Sequence, residues 1–345
     1  MIVQLFFRFL SRRDLSTLFL MIEFKDPVAE HIKALVLDET ALEIDNREYS
    51  SDPVWSELAD RGSRIWLRGC DKLASEIWSS DMEAICSDTY ELGKAVRRGE
   101  YRSLIKEANH LLKGLPPEER IGEIAFILNA RRAIRMSKQF AAKVSVEVPP
   151  IPGGADEMEQ YGQRLFQICP EHILIALPFS PEGLNAAQAL GRLGVPVTIN
   201  NQYSLQQAIQ SLHAAAPAYM AVTFGQNGSD RSRGPEKAQQ LLRFFADMDT
   251  PVATRLIADG LDTCRDIQGL IGFPILMISP QTAAEYRRAS TNGSLGEARE
   301  SSSAAEVQEE AQTGYGEELS SRLNRERLTE YKGIIAEIAQ TIASI

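Results

Sequence analysis

His172-Ile-Leu-Ile-Ala-Leu-Pro-Phe-Ser-Pro-Glu-Gly-Leu184 begins as an unbroken apolar run and changes character after Pro178. A run this free of polarity suits a strand buried on both faces, because neither face meets water. A helical pattern follows over Pro181–Leu193, closed by Gly191 and Gly194 before Val195 opens the next apolar run. Strand, helix and strand in close succession form the unit of a parallel sheet.

Working outward, the same alternation recurs. Candidate strands are Arg64–Arg68, Glu83–Ser87, Ala142–Val148, His172–Pro178, Val195–Asn200, Ala218–Phe224, Pro251–Ala258 and Pro274–Ser279. Helical patterns lie between them, among them Tyr101–Leu112, Glu157–Gln167, Leu205–Ala215 and Gly234–Met248. Eight such units predict an α/β fold closed as a (β/α)8 TIM barrel, with an open doubly wound sheet as the alternative. The barrel is expected over 64–287, after a helical lead-in at 22–63. A Ser/Gly/Ala/Glu-rich flexible linker is expected over 288–317, followed by a C-terminal helix at 318–345 that docks on the barrel. That last helix carries Leu323, Leu328, Tyr331, Ile334, Ile335, Ile338 and Ile342 at helical spacing.

Residues 1–21 are apolar and basic but lack a clear cleavage site. They read as disordered chain or an over-extended start with Met21 as the true one, a targeting segment being the alternative. A net charge of −10 argues against nucleic acid or an anionic membrane as the main partner. Four dispersed cysteines without a CxxC pattern, and only four histidines, argue against structural zinc and fit a reducing cytoplasm.

Several segments resemble the transaldolase family, especially its longer bacterial type. Ser63-Arg-Ile-Trp-Leu67 looks like the family's first strand, and Ala84-Ile-Cys-Ser-Asp-Thr89 with Lys94-Ala-Val96 resembles the second strand and its turn. Val144-Ser-Val-Glu-Val-Pro149 is similar to the Val-Ser-x-Glu-Val stretch of strand three. Leu177-Pro-Phe-Ser-Pro-Glu-Gly-Leu184 follows the family's Pro-Ala-Thr-x-Glu-Gly-Leu closely, and Gly194–Leu205 resembles strand five. The resemblance covers roughly residues 54–285 and implies a class I aldolase-like barrel needing no cofactor.

The resemblance also implies a chemistry, and the chain departs from it. In the family a strand-four lysine forms the Schiff base, a strand-one aspartate shuttles a proton, and a strand-three glutamate orients water. Here those positions hold Ala176, Arg68 and Glu147, so the glutamate alone persists. The strand-five pair becomes Thr198 and Asn200, and the arginine that holds the sugar phosphate falls on Gln226. Arg68, Thr198, Asn200 and Gln226 are the candidate substrate-binding residues. The stretch Ala258-Asp-Gly-Leu-Asp262 is read as lying beyond strand seven, where its two acids would repel a phosphate.

Arg68 is expected to pair with Glu147, to bind an anionic ligand or to turn to solvent; Glu147 is otherwise a rim carboxylate. No other lysine is placed to take over: Lys143 begins strand three, Lys94 belongs to a helix start, and Lys237 sits among charged neighbours. The loop Gly225–Gly234 lacks the Gly-Lys-Ser ending of a phosphate-binding loop, though Arg231 and Arg233 are candidate anion contacts. Cys86 has no histidine nearby in sequence to activate it. His31, His110, His172 and His213 show no metal-ligand spacing. The expectation is a transaldolase-like barrel without aldol transfer, serving ligand binding, regulation or scaffolding, with a small polar or anionic ligand at its mouth. The alternative is a working transaldolase of the pentose phosphate pathway.

Overall fold

The computed structural model describes residues 27–38, 48–69, 72–150, 153–224, 234–247, 253–295 and 313–344. Residues 1–21, the loop at 225–233 with Gln226, Arg231 and Arg233, and residues 296–312 lie outside them. Two helices, α1 (Pro27–Leu37) and α2 (Pro53–Asp60), precede the first strand. Eight strands follow: β1 (Arg64–Arg68), β2 (Ala84–Ser87), β3 (Lys143–Glu147), β4 (Ile173–Pro178), β5 (Val197–Gln202), β6 (Tyr219–Thr223), β7 (Arg255–Leu261) and β8 (Ile275–Ile278). Every neighbour pair is parallel, and β8 returns to β1 through Ile65 opposite Leu276, which closes the barrel in strand order.

The helices between the strands are α3 (Lys72–Ile77), then α4 (Thr89–Arg97), α5 (Arg102–Leu111) and α6 (Pro117–Phe140) after β2. α7 (Ala155–Ile168), α8 (Pro181–Arg192), α9 (Leu205–Ala215), α10 (Gly234–Ala246) and α11 (Cys264–Gly269) connect the later strands. α12 (Pro280–Thr291) follows β8, and α13 (Thr313–Ala343) ends the chain. α12 continues through the first residues of the expected linker, as far as Thr291. Among the described residues no helix is long and apolar enough to cross a membrane.

Side chains alternate inward and outward along each strand, which sorts the apolar residues into two cores. Outward residues such as Leu67, Val146, Ile175 and Leu177 pack under the helices. Inward residues Trp66, Ala84, Leu174, Tyr219, Ala221, Ile257, Ile275 and Met277 fill the barrel, with Trp66 and Tyr219 ring to ring at 4.9 Å. The same parity carries the next inward layer toward the C-terminal ends: Arg68, Glu147, Ala176, Asn200 and Asp259.

Local chemistry fixes the helix starts at that end. Ser180 caps α8 by accepting from the Gly183 amide at 3.0 Å, and Asp88 caps α4 by accepting from Glu91 at 2.8 Å. Ser204 and Ser279 do the same for α9 and α12. Gly183 is required for space: a Cβ there would meet the Pro178 carbonyl oxygen at 2.1 Å. The Glu-Gly-Leu motif thus lets α8 begin directly against the end of β4.

Candidate functional site

The C-terminal ends of the strands surround an inner cavity of about 120 Å³. This is the end of the barrel at which βα loops meet and polar side chains converge. Its walls carry two guanidiniums, Arg68 and Arg327, and three carboxylates, Asp88, Glu147 and Asp259.

Arg68 donates to Asp259, whose same oxygen also accepts from the Gly260 amide at 2.7 Å. Asp259 is 8% exposed, so the pair is withdrawn from water on its acid side. The field of Asp259, reinforced by the hydrogen bond between them, holds the Arg68 guanidinium above its ordinary pKa against the opposing effect of burial. The expected pairing of Arg68 with Glu147 is therefore corrected. The cause is strand length: β7 runs to Leu261, with an irregularity between Ala258 and Leu261, so Asp259 is an inward strand residue rather than a loop acid.

Glu147 is engaged elsewhere. One oxygen accepts from the Thr89 amide at 2.8 Å, and the other lies 3.4 Å from Nε of Arg327. Arg327 is also 3.7 Å from Asp88. Glu147 is the first cause that holds this guanidinium above its ordinary pKa. Arg327 belongs to α13, which crosses the mouth and is fixed there by short bonds. Ser320 donates to the Asn201 carbonyl at 2.8 Å, Asn324 donates to the Phe179 carbonyl at 3.3 Å, and Glu330 meets Arg97 of α4 at 2.7 Å. Gly93 makes room for that helix: a Cβ there would strike the Glu330 carboxylate at 2.0 Å.

Three neutral polar groups of the cavity are unsatisfied, and so is Nε of Arg327, which stands 3.4 Å from Glu147 without a hydrogen bond. Thr198 Oγ1, Asn200 Oδ1 and Trp66 Nε1 are buried without a hydrogen-bond partner. Such orphans are costly in a folded interior and mark places where a polar molecule or water binds. Asn201 takes a left-handed backbone conformation, φ 64°, at the irregularity that ends β5. Gln202 then points inward to the Ile199 and Ala221 carbonyls at 2.9 and 3.3 Å. β5 thus runs two residues past the expected end at Asn200, and Gln202 serves the backbone.

Ala176 lies in the wall at 2% exposure, and no lysine is among the lining residues. Lys94 lies within α4, away from its start, and bonds Glu91 at 2.9 Å; Lys143 is exposed at the opposite end of β3. Cys86 lines the cavity, but burial pushes its thiol up to about 12, which keeps it protonated and unreactive. Tyr203 is raised to about 12, first by burial and then by Asp259. Among the described residues no group of three His, Cys, Asp or Glu is arranged to hold a metal ion.

A wider vestibule of about 600 Å³ adjoins the cavity, and Arg68, Asp88, Leu323 and Arg327 line both. The α13 side chains Leu323 and Arg327 thus form part of the wall between inner cavity and solvent. Neither was singled out from sequence as a site residue. The available signal was an interruption of the apolar stripe Leu319, Leu323, Ile334 and Ile338, which Arg327 and Glu330 occupy at helical spacing.

A closed ring of eight parallel strands with helices between them defines a (β/α)8 TIM barrel. The family model described as transaldolase/fructose-6-phosphate aldolase matches residues 92–331, and the chain belongs to that family. The match ends within α13, at residue 331, and includes Arg327. A probable transaldolase 1 from Bacillus cereus is 27% identical over 144 residues, covering 41% of this chain and 65% of the relative. The chain thus spans under two thirds of that relative's length. Among solved structures, KGPDC from Streptococcus mutans aligns at 10% identity over 68% of this chain and 99% of that one, with a TM-score of 0.37.

Proposed function

We propose that this transaldolase-family barrel lacks Schiff-base aldol transfer. In this reading it holds a small, neutral, polar molecule at its mouth, as a cytoplasmic binding, regulatory or scaffolding protein linked to carbohydrate metabolism. The observation that carries this is the methyl group of Ala176 at the end of β4, in a cavity that no lysine lines. Imine formation needs an amine within bonding reach of the carbonyl, and neither a guanidinium nor a protonated thiol replaces it. The charge pattern supports a neutral ligand over a phosphate. Both guanidiniums already face carboxylates, so an anion would have to displace Asp259 or Glu147. The free hydrogen-bonding capacity belongs mostly to neutral groups, Thr198, Asn200 and Trp66, with Arg327 Nε beside them. At about 120 Å³ the inner space suits a molecule much smaller than a drug-sized ligand.

The test is reductive trapping. The protein is incubated with fructose 6-phosphate or dihydroxyacetone, borohydride is added, and the intact mass is measured. No covalent gain is expected; a stoichiometric adduct overturns the proposal. The second reading, a transaldolase that moves a dihydroxyacetone unit between sugar phosphates, is favoured by family membership and by the retained Glu147. It predicts that adduct. A double substitution, Arg68→Asp with Ala176→Lys, is expected to restore little transfer, because it sets a new carboxylate beside Asp259 and removes that residue's counter-ion. Substantial transfer in coupled assay would show an otherwise intact site.

A further inference from the structure

The flank of the barrel between α3, α4 and α6 holds a second hollow, of about 420 Å³, that shares no residue with the inner cavity. Five cations line it: Lys72, Lys94, Arg98, Arg132 and Arg135. Two carboxylates line it as well, and each is already paired, Glu91 with Lys94 at 2.9 Å and Glu100 with Arg98 at 2.7 Å. Lys72 lies 3.8 Å from Glu76 just outside the hollow, while Arg135 has no carboxylate partner among the described residues. Arg132 is 7% exposed, its Nε 3.3 Å from the Ser87 hydroxyl. The chain as a whole carries a net charge of −10, so a lining with more cations than carboxylates runs against its average. Like charges gathered around one small space repel each other, and a guanidinium drawn out of water gains from an anion beside it.

We infer that this hollow is an accessory binding site for a phosphorylated small molecule carrying two or more negative charges. The planar guanidinium forks match phosphate oxygens in pairs, while the lysines supply mobile point charges. Tyr101 and Met136, both buried, give the hollow an apolar side against which a small organic body can lie. The site is separate from the mouth, yet joined to it through one contact: Arg132 holds Ser87, and Ser87 lines the inner cavity.

The probe is pyrophosphate, titrated calorimetrically into the full chain at physiological ionic strength. One saturable event per chain is expected, weakening as potassium chloride is raised. Arg135→Glu and Lys94→Gln should each weaken it about tenfold or more, the loss of one charge-assisted contact. Arg327→Gln, at the mouth, should leave it unchanged. Melting curves without ligand establish that each variant is folded, and Lys94→Gln, a neutral change on a partly exposed side chain, stands if Arg135→Glu is not. Absence of saturable binding overturns the inference. So does binding that Arg327→Gln abolishes and Lys94→Gln does not, which would place the anion at the barrel mouth.

Discussion

Arg68 carries a charge into the barrel mouth because β1 alternates strictly: Trp66 fills the interior and the next inward position is Arg68. Asp259 reaches the same level from β7 by the same rule, two residues after Ile257. The pair is partly withdrawn from water, so removing one partner strands the other. Arg68→Met is expected to cost about 2–3 kcal/mol in urea denaturation, below the fully buried case because the arginine side chain is 32% exposed. Adding Asp259→Asn should recover more than half of that loss, since the amide oxygen still accepts from Gly260. A double variant no more stable than Arg68→Met would show that the two residues do not act as a pair. The family resemblance singled out Ala176, Glu147, Thr198 and Asn200, and the structure brings all four into the cavity lining. The sequence hid Asp259, because Asp-Gly after an apolar run reads as a turn, while here the strand continues through both.

At the scale of elements, α13 decides how closed the mouth is. Its apolar stripe was visible at Leu323, Ile334 and Ile338, and docking on the barrel follows from a helix that must bury such a stripe. What periodicity could not give is where it docks, because that depends on Gly93 leaving room on α4 and on Arg327 finding Glu147. Ile334 is fully buried, so Ile334→Ala should destabilise by about 2–4 kcal/mol. A change below about 0.5 kcal/mol, the range of surface substitutions, would mean the helix is not held there in solution. Polar seating is read by a double-mutant cycle. Arg327→Ala and Glu147→Gln should show a coupling of about 1–2 kcal/mol, as neighbours in one network do. Strict additivity would break the link between the helix and the retained glutamate.

For the molecule as a whole, the buried acids set an alkaline limit. Burial raises Cys86, Tyr203 and Tyr331 to about 12, and Tyr161 is raised further still. In the unfolded chain these groups ionise near the ordinary values of about 8.5 for cysteine and about 10 for tyrosine. Between about pH 9 and 12 the folded state therefore keeps protons that the unfolded state has released. Fewer protons on the unfolded side mean that unfolding free energy falls as pH rises. Each tyrosine contributes a loss on the order of 1–2 kcal/mol across that window, discounted for partial exposure. Melting temperature should accordingly be flat from about pH 7 to 8 and decline above about pH 9. Tyr331 is the informative member because it lies on α13, so its ionisation favours release of the helix that caps the mouth. Tyr331→Phe should leave the urea midpoint at neutral pH nearly unchanged and flatten part of the alkaline decline. An identical slope in the variant, or stability that holds constant to pH 11, would show that Tyr331 is not protected by docking in the way its burial requires.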